Sequence, residues 1–225
     1  MLVLTWNLFH GRALPARDAD LRAEFAARLA GWEWDVALLQ ECPPWWPAAL
    51  GRACGASARM ALTSRNQLLP VRRALAVRRP ELMKSGGGGC NAILVRGGAI
   101  AAHRRKTLRL LPERRVMHAV RWEPAGVWVG NLHAQVHSDA RAHADAARAG
   151  AALDSWAAGG PAILGGDFNV RDPHVAGFRH AGGRKVDHVL ARGLAAEGVT
   201  ERLERGSLSD HAPLRIALSP SRSST

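Results

Sequence analysis

Residues 162–169 read Ala-Ile-Leu-Gly-Gly-Asp-Phe-Asn, a short apolar run that gives way to two glycines and then to a carboxylate and an amide. A brief apolar run bounded by turn formers suits a buried strand, so Ala162–Leu164 is read as a strand whose exit carries Asp167 and Asn169. The same pattern recurs along the chain. Leu2–Leu8 is a buried strand ending in Asn7 and His10, with Gly11 turning the backbone. Val36–Leu39 closes on Gln40-Glu41, Val127–Leu132 runs into Asn131-Leu132-His133, Val186–Leu190 carries Asp187-His188, and Leu214–Leu218 follows Asp210-His211. Asn91–Val95, Lys106–Leu111 and Val116–Trp122 complete the strands.

Between the strands, Leu21, Phe25, Ala26 and Leu29 recur at spacings of three and four and predict a helix over Asp18–Ala30. A stronger helix spans Asp139–Trp156, stopped by Gly159-Gly160-Pro161. Pro43-Pro44 opens a turn and a short helix through Leu50. From Met60 to Gly89 the periodicity weakens, and Arg72-Arg73, Arg78-Arg79 and the glycine run 86–89 predict a surface loop. Many strands with two main helices imply sheets packed on each other with helices outside, a layered α/β arrangement. One domain over residues 1–219 and a polar tail over 220–225 are expected.

The chain has 225 residues, 47% of them hydrophobic and 22% charged, which excludes a disordered chain and allows one sizeable core. Lysine and arginine number 31 against 19 acidic residues, a net charge of +12 that favours a polyanionic partner. A GC-rich genome is the competing source of that surplus, since only Lys84, Lys106 and Lys185 are lysines and tyrosine is absent. Cys42, Cys54 and Cys90 lack the close doublets of a zinc site and are expected to be buried free thiols in a reducing compartment. With no signal-like start and no long apolar run, the expected location is cytoplasmic, without membrane insertion.

The chemistry lies in the polar residues at the strand ends. Brought together, such carboxylates and amides form a hard oxygen set suited to Mg²⁺ or Mn²⁺. Histidines paired with aspartates add a group to handle the proton of an attacking water and a donor for developing charge. The reaction that uses all of these is metal-assisted cleavage of a phosphate ester. His133, His137 and His143 invite a zinc reading, but they fall on a strand and a loop rather than on one helical face.

Asn7 after Thr5-Trp6, Leu39-Gln40-Glu41, Asn131-Leu132-His133, Gly165-Gly166-Asp167-Phe168-Asn169, Val186-Asp187-His188 and Ser209-Asp210-His211 together resemble, in order, the motif set of the endonuclease/exonuclease/phosphatase superfamily. The resemblance implies a four-layer α/β sandwich, two packed, mostly antiparallel sheets flanked by helices, with a divalent cation, Mg²⁺ or Mn²⁺, at one end. It implies Glu41 as principal metal ligand, supported by Asn7 and Asp210. It makes Asp167 the group that orients or deprotonates water, and Asn169 a donor to phosphate. His211, held by Asp210 or Asp187, is a base or a transition-state donor, and His133 contacts phosphate and the leaving oxygen. Asn91 is a weaker candidate for phosphate contact.

Two departures matter. Where many members carry an acid or amide two positions after the first asparagine, this chain has Phe9 and then His10. With no tyrosine, His133 takes the phosphate-contacting place. Trp45-Trp46, beside Glu41, would stack on a base, pack on a lipid headgroup, or lie in the core. Arg72-Arg73, Arg78-Arg79, Arg104-Arg105-Lys106 and Arg114-Arg115 would track a nucleic-acid backbone or merely solvate strand edges. The leading expectation is a monomeric Mg²⁺-dependent phosphodiesterase of nucleic acid. The alternatives are the same chemistry on a small or lipid phosphoester, such as a phosphoinositide or sphingomyelin, and a non-catalytic nucleic-acid-binding protein.

Overall fold

The computed structural model of the chain describes residues 1–63, 66, 68–78 and 89–221. Among the described residues, twelve strands form two six-stranded sheets. The first contains β1 (Leu2–Asn7), β2 (Val36–Cys42), β3 (Ser57–Leu62), β4 (Cys90–Val95), β11 (Leu194–Arg202) and β12 (Leu214–Pro220), in the order β11-β12-β1-β2-β4-β3. The second contains β5 (Ala99–Arg109), β6 (Arg115–Glu123), β7 (Val127–His133), β8 (Ala162–Asp167), β9 (Arg179–Arg184) and β10 (Asp187–Arg192), in the order β5-β6-β7-β8-β10-β9. The pairs β1–β2 and β7–β8 are parallel and the others antiparallel.

Alternation along each strand divides its side chains between two cores. Val3, Val36, Leu38, Ile93, Val129, Ile163, Val189 and Ile216 point between the sheets, and their branched side chains fill that layer. On the opposite face of the first sheet, Leu4, Trp6 and Leu39 meet Phe25 and Leu29 of α1 (Arg22–Gly31) and Leu50 of α2 (Pro47–Ala53). On the outside of the second sheet, Met117, Leu132 and Leu164 meet Ala142, Ala146, Ala149 and Leu153 of α4 (Asp139–Ala157). The result is the expected four-layer sandwich. Among the described residues no helix is long and apolar enough to cross a membrane. Cys42, Cys54 and Cys90 are buried and free, as the sequence implied.

Several boundaries differ from the sequence reading. The first helix starts at Arg22 rather than Asp18, because the Asp20 carboxylate accepts from the Arg22 amide in a turn (3.1 Å) and Leu21 takes the N-cap. The proline-started helix covers Pro47–Ala53, with Pro47 in its first turn; Pro43 instead closes a turn with the Trp46 amide. Within the expected loop 60–89 lie the end of β3 and a helix, α3 (Leu69–Arg78). Arg79 and glycines 86–88 fall outside the described residues. Leu110 and Leu111 are exposed beyond β5, where Pro112 cannot extend the ladder. Pro220 closes β12 rather than starting the tail, of which 222–225 lie outside the described residues. Strands β3, β9 and β11 had no apolar run to announce them.

The two glycines ahead of Asp167 have different reasons to be there. A Cβ on Gly165 would stand 2.5 Å from Leu38 Cδ1 across the sandwich, so that glycine lets the sheets approach. Gly166 has φ of +135°, and a Cβ there would reach 2.0 Å from the Leu132 carbonyl oxygen of the neighbouring strand. Gly166→Ala is therefore expected to lower stability by at least about 2 kcal/mol in urea unfolding. Gly31→Ala, with nothing within 4 Å of the added methyl, is expected to be neutral or slightly stabilising.

Candidate active site

Parallel pairing fixes which strand ends meet. Asn7 on β1 lies opposite Gln40 on β2, and Asp167 on β8 has His133 of β7 on one side and Asp187 of β10 on the other. Both rows lie at the same end of the sandwich. Asn7 Nδ2 donates across to Asp167 Oδ2 at 3.0 Å. A bulge then aims Glu41: β2 pairs Leu39 with Ala92 but Cys42 with Cys90, so Gln40 and Glu41 together face Asn91. Glu41 takes φ of +47°, a strained value for a non-glycine residue.

The remaining groups arrive on loops. Ser209 Oγ donates to the Asn7 carbonyl (2.6 Å) and accepts from the His211 amide (3.0 Å), while Trp6 Nε1 donates to the His211 carbonyl (3.1 Å). This anchoring leaves His211 Nδ1 2.8 Å from Asp187 Oδ2 and Nε2 3.9 Å from Asp167 Oδ2. The Asn169 amide donates to Asp167 Oδ1 (2.9 Å), and its side chain donates to the Ala134 carbonyl (2.9 Å). His133 Nε2 lies 3.7 Å from Asp167 and 4.0 Å from Glu41. Asn7, His10, Glu41, Arg115, His133, Asp167, Asn169 and His211 line one cavity of about 290 Å³.

Two sequence candidates lie elsewhere. Asn91 is buried at β4, its amide donating to the Val116 carbonyl (3.0 Å), and it does not line the cavity. Asp210 is exposed and lines an adjoining cleft of about 360 Å³. That cleft also holds Arg171, Arg184, Lys185, Arg202 and Arg205, and it shares His211 with the site cavity and includes Asp187. Of the tryptophans, Trp46 is in the core, against Phe25. Trp45 is half-buried and lines an apolar cleft of about 650 Å³ with Pro44, Met60, Leu62, Pro70 and Val77, edged by Arg73 and Arg78.

Sequence reasoning assigned no role to His10, and it read Arg115 only as half of an arginine pair that would track a nucleic-acid backbone or solvate a strand edge, not as a residue of the cavity wall. His10 Nε2 stands 3.0 Å from Glu41 Oε2. The available signal was a histidine at the exit of the first strand, just before a glycine. Arg115 was hidden in an arginine pair; it is buried, and its Nη2 donates to Glu113 Oε2 at 2.8 Å.

The environment gives each titratable group a different charge. Burial pushes the Glu41 carboxyl up, but the hydrogen bond and charge of His10, with His133 and His211, outweigh it and hold Glu41 well below the carboxylate range. Burial, then repulsion from Asp187, raises Asp167 to about 7 against the pull of His211, Asn7 and Asn169. Burial and the Arg115 charge push His133 down to about 3, so it is neutral. Burial opposes charge on His211 too, but the Asp187 hydrogen bond and the charges of Asp187, Asp167 and Asp210 raise it to about 9.

The donor set fits a hard divalent cation. Glu41 is anionic at any working pH. Asp187 Oδ1 is buried without a partner among the described residues. Ligand atoms of Asp167, Asp187 and His211 lie within 4.8 Å of one another, but the protonated His211 offers no lone pair, so the oxygens are the donors. Carboxylate oxygens dominate, as Mg²⁺ and Mn²⁺ require.

The sequence matches the Endonuclease/Exonuclease/phosphatase family over residues 4–211. No curated protein matches it by sequence. Among solved structures it resembles an endonuclease/exonuclease/phosphatase from Beutenbergia cavernae, 17% identical, with TM-score 0.71 over 98% of this chain and 71% of the other. It also resembles a mannosyl-6-phosphatase from Bacteroides thetaiotaomicron, 15% identical, with TM-score 0.65 over 97% and 99% of the two chains. TDP2 from Caenorhabditis elegans is 16% identical, with TM-score 0.67 over 96% of this chain and 73% of that one. At such identities the structural likeness shows the fold.

NMR titration of His211 checks the electrostatics. Its midpoint is expected near 9, and Asp187→Asn should lower it by about one to three units. Because the folded value exceeds the ordinary 6.5, this histidine favours folding fully below about 6.5, and the contribution fades as pH rises through about 9.

Proposed function

Since the chain belongs to the endonuclease/exonuclease/phosphatase family, whose members hydrolyse phosphoesters, we propose that it is a divalent-metal-dependent phosphodiesterase acting on nucleic acid. One observation carries the substrate reading: the basic cleft of Arg171, Arg184, Lys185, Arg202 and Arg205 opens directly beside His211. A backbone phosphate next to the scissile one would lie there, so the cleft binds a repeating phosphodiester better than an isolated one.

In this reading Glu41 and Asn7 hold the cation, Mg²⁺ or Mn²⁺, which when bound polarises the phosphoryl oxygen and lowers the pKa of water. Asp167 accepts the proton of the attacking water; Asn7 and Asn169 fix its two oxygens, and a value near 7 suits a base at neutral pH. His211 is a cation with Nδ1 committed to Asp187, so its Nε2–H donates to the developing charge rather than acting as the base. Asp187 holds that ring in place. Asp210 adds negative charge that favours the His211 cation, a role short of direct ligation. His133 is neutral and donates a hydrogen bond to the leaving side. Arg115 adds positive charge at the cavity wall, and the second Asn169 side-chain hydrogen is left for a phosphate oxygen.

A second reading is favoured by the apolar cleft at Trp45, which would receive the non-phosphate part of a lipid or other small phosphoester. A substrate panel separates the two. Plasmid and single-stranded DNA should be cut with Mg²⁺ or Mn²⁺ and not with chelator. Glu41→Ala and Asp167→Asn should each lower kcat by about 10²–10⁴. Replacing Arg184 and Lys185 by serine should flatten the salt dependence of DNA binding by about one to two log–log units. Phosphate release from inositol phosphates, or phosphocholine release from sphingomyelin, without DNA cleavage would establish the second reading instead. No turnover on any member, with wild type equal to both site variants, would sink the hydrolase reading.

A further inference from the structure

Phe9, His10 and Gly11 are three consecutive residues at positive φ: 50°, 55° and 77°. For the two with side chains this backbone is unfavourable by about 1–2 kcal/mol each. The turn is held from both sides. A Cβ on Gly11 would overlap the Trp46 ring at 2.4 Å, so the chain lies flat on a core indole; the His10 ring packs over Gly89, 3.5 Å from where a Cβ would be. The outcome of this strained turn is to fold the imidazole back over Glu41, itself at φ of 47°. Two facing residues both held in the left-handed region mark a geometry imposed for function.

The distance between them fits a hydrogen bond, and it fits equally two ligands of one cation. Two donor atoms bound side by side on an octahedral cation, each at about 2.1 Å, stand about 3.0 Å apart. His10 Nε2 and Glu41 Oε2 are 3.0 Å apart, and both residues line the cavity. We propose that His10 ligates the divalent cation through Nε2 beside Glu41, making this a mixed nitrogen and oxygen centre that selects Mn²⁺ over Mg²⁺. Imidazole binds Mn²⁺ far better than Mg²⁺, whereas carboxylates and waters serve both ions. This inference rests on the cation-dependent reading above and names a ligand and a preference within it. The competing role, an Nε2–H that donates to Glu41 and only orients it, predicts equal effects on both ions.

The test uses metal binding by the intact protein rather than turnover. Mn²⁺ and Mg²⁺ affinities are measured by calorimetry, and the Mn²⁺-loaded protein is examined by pulsed electron paramagnetic resonance for coupling to a directly bound imidazole nitrogen. Asparagine tolerates left-handed backbone, so His10→Asn suits the turn, and circular dichroism verifies that the variant folds. Wild type should show the nitrogen coupling and bind Mn²⁺ about tenfold or more tighter than Mg²⁺; the variant should lose both the coupling and the preference. Absence of nitrogen coupling in wild type overturns the proposal whatever the variant does. So does coupling that survives in His10→Asn, or an equal loss of affinity for the two ions. Failure to bind either ion sinks the cation-dependent reading, and this one with it; binding without nitrogen coupling sinks this one alone.

Discussion

The hydrogen bond from Asn7 to Asp167 joins the two sheets at the end where the chemistry is gathered. A second clamp lies behind it. Asn131 of the second sheet donates to the Leu39 and Ala92 carbonyls of the first and accepts from Gln40 Nε2 at 2.8 Å. These groups are fully or almost fully buried, so each would be destabilising unpaired; apart from Gln40 Oε1, which has no partner among the described residues, they satisfy one another in one register of sheet on sheet. The apolar layer of valines and isoleucines further down supplies attraction but little directional information. The amides fix the relative height of the two sheets, and with it the gap between Glu41 and Asp167. Gly165 is part of the same constraint, because a larger side chain would push Leu38 and the first sheet away.

Once the height is fixed, the charges follow. Two imidazoles within reach of the same carboxylate end in opposite states, because burial and the nearby Arg115 discharge one while Asp187 bonds the other. A neutral His133 and a cationic His211 flanking Asp167 give the cavity a direction: positive charge on the β10 side, a neutral donor on the β7 side. A divalent cation beside Glu41 would favour anionic oxygens around it and disfavour protonation of the nearby His133, which keeps that imidazole neutral. The strain at Glu41, Phe9 and His10 is concentrated on the opposite wall.

The fold class and most of the candidate site were legible because strand exits leave a local record: an apolar run that stops at an Asn, Asp, Glu or His. Asp167, Glu41 and Asn7 could be found this way. What was not legible depends on side-chain direction or on contacts distant in sequence. The partner of His211 was left open between Asp210 and Asp187, and only the pairing of β10 with β8 brings Asp187 to it; Asp210, adjacent in sequence, faces the basic cleft. His10 needed a strained turn to reach Glu41, and strain has no signature in composition. Strands β9 and β11 are polar and exposed along much of their length, which is what keeps sheet edges from pairing with other chains and also what hides them from periodicity.

The arginine surplus shows the same limit on a larger scale. Its conspicuous run, Arg104-Arg105-Lys106, lies exposed on β5 at the edge of the second sheet, where it protects an open strand. The basic cleft beside His211 is built instead from Arg171, Arg184, Lys185, Arg202 and Arg205, mostly single residues from separate segments of the second half of the chain. A genome that favours arginine would scatter such residues over the whole surface, and their convergence beside the candidate site is a fact of topology rather than composition. The apolar cleft at Trp45 shares no lining residue with the site cavity, whereas the basic cleft shares His211 with it. A phosphate bound at His211 therefore has an anion-binding surface as its immediate neighbour, and the apolar cleft only at one remove, past the crevice lined by His10 and Trp45. That contiguity is the physical reason the proposed nucleic-acid reading is placed ahead of a compact phosphoester.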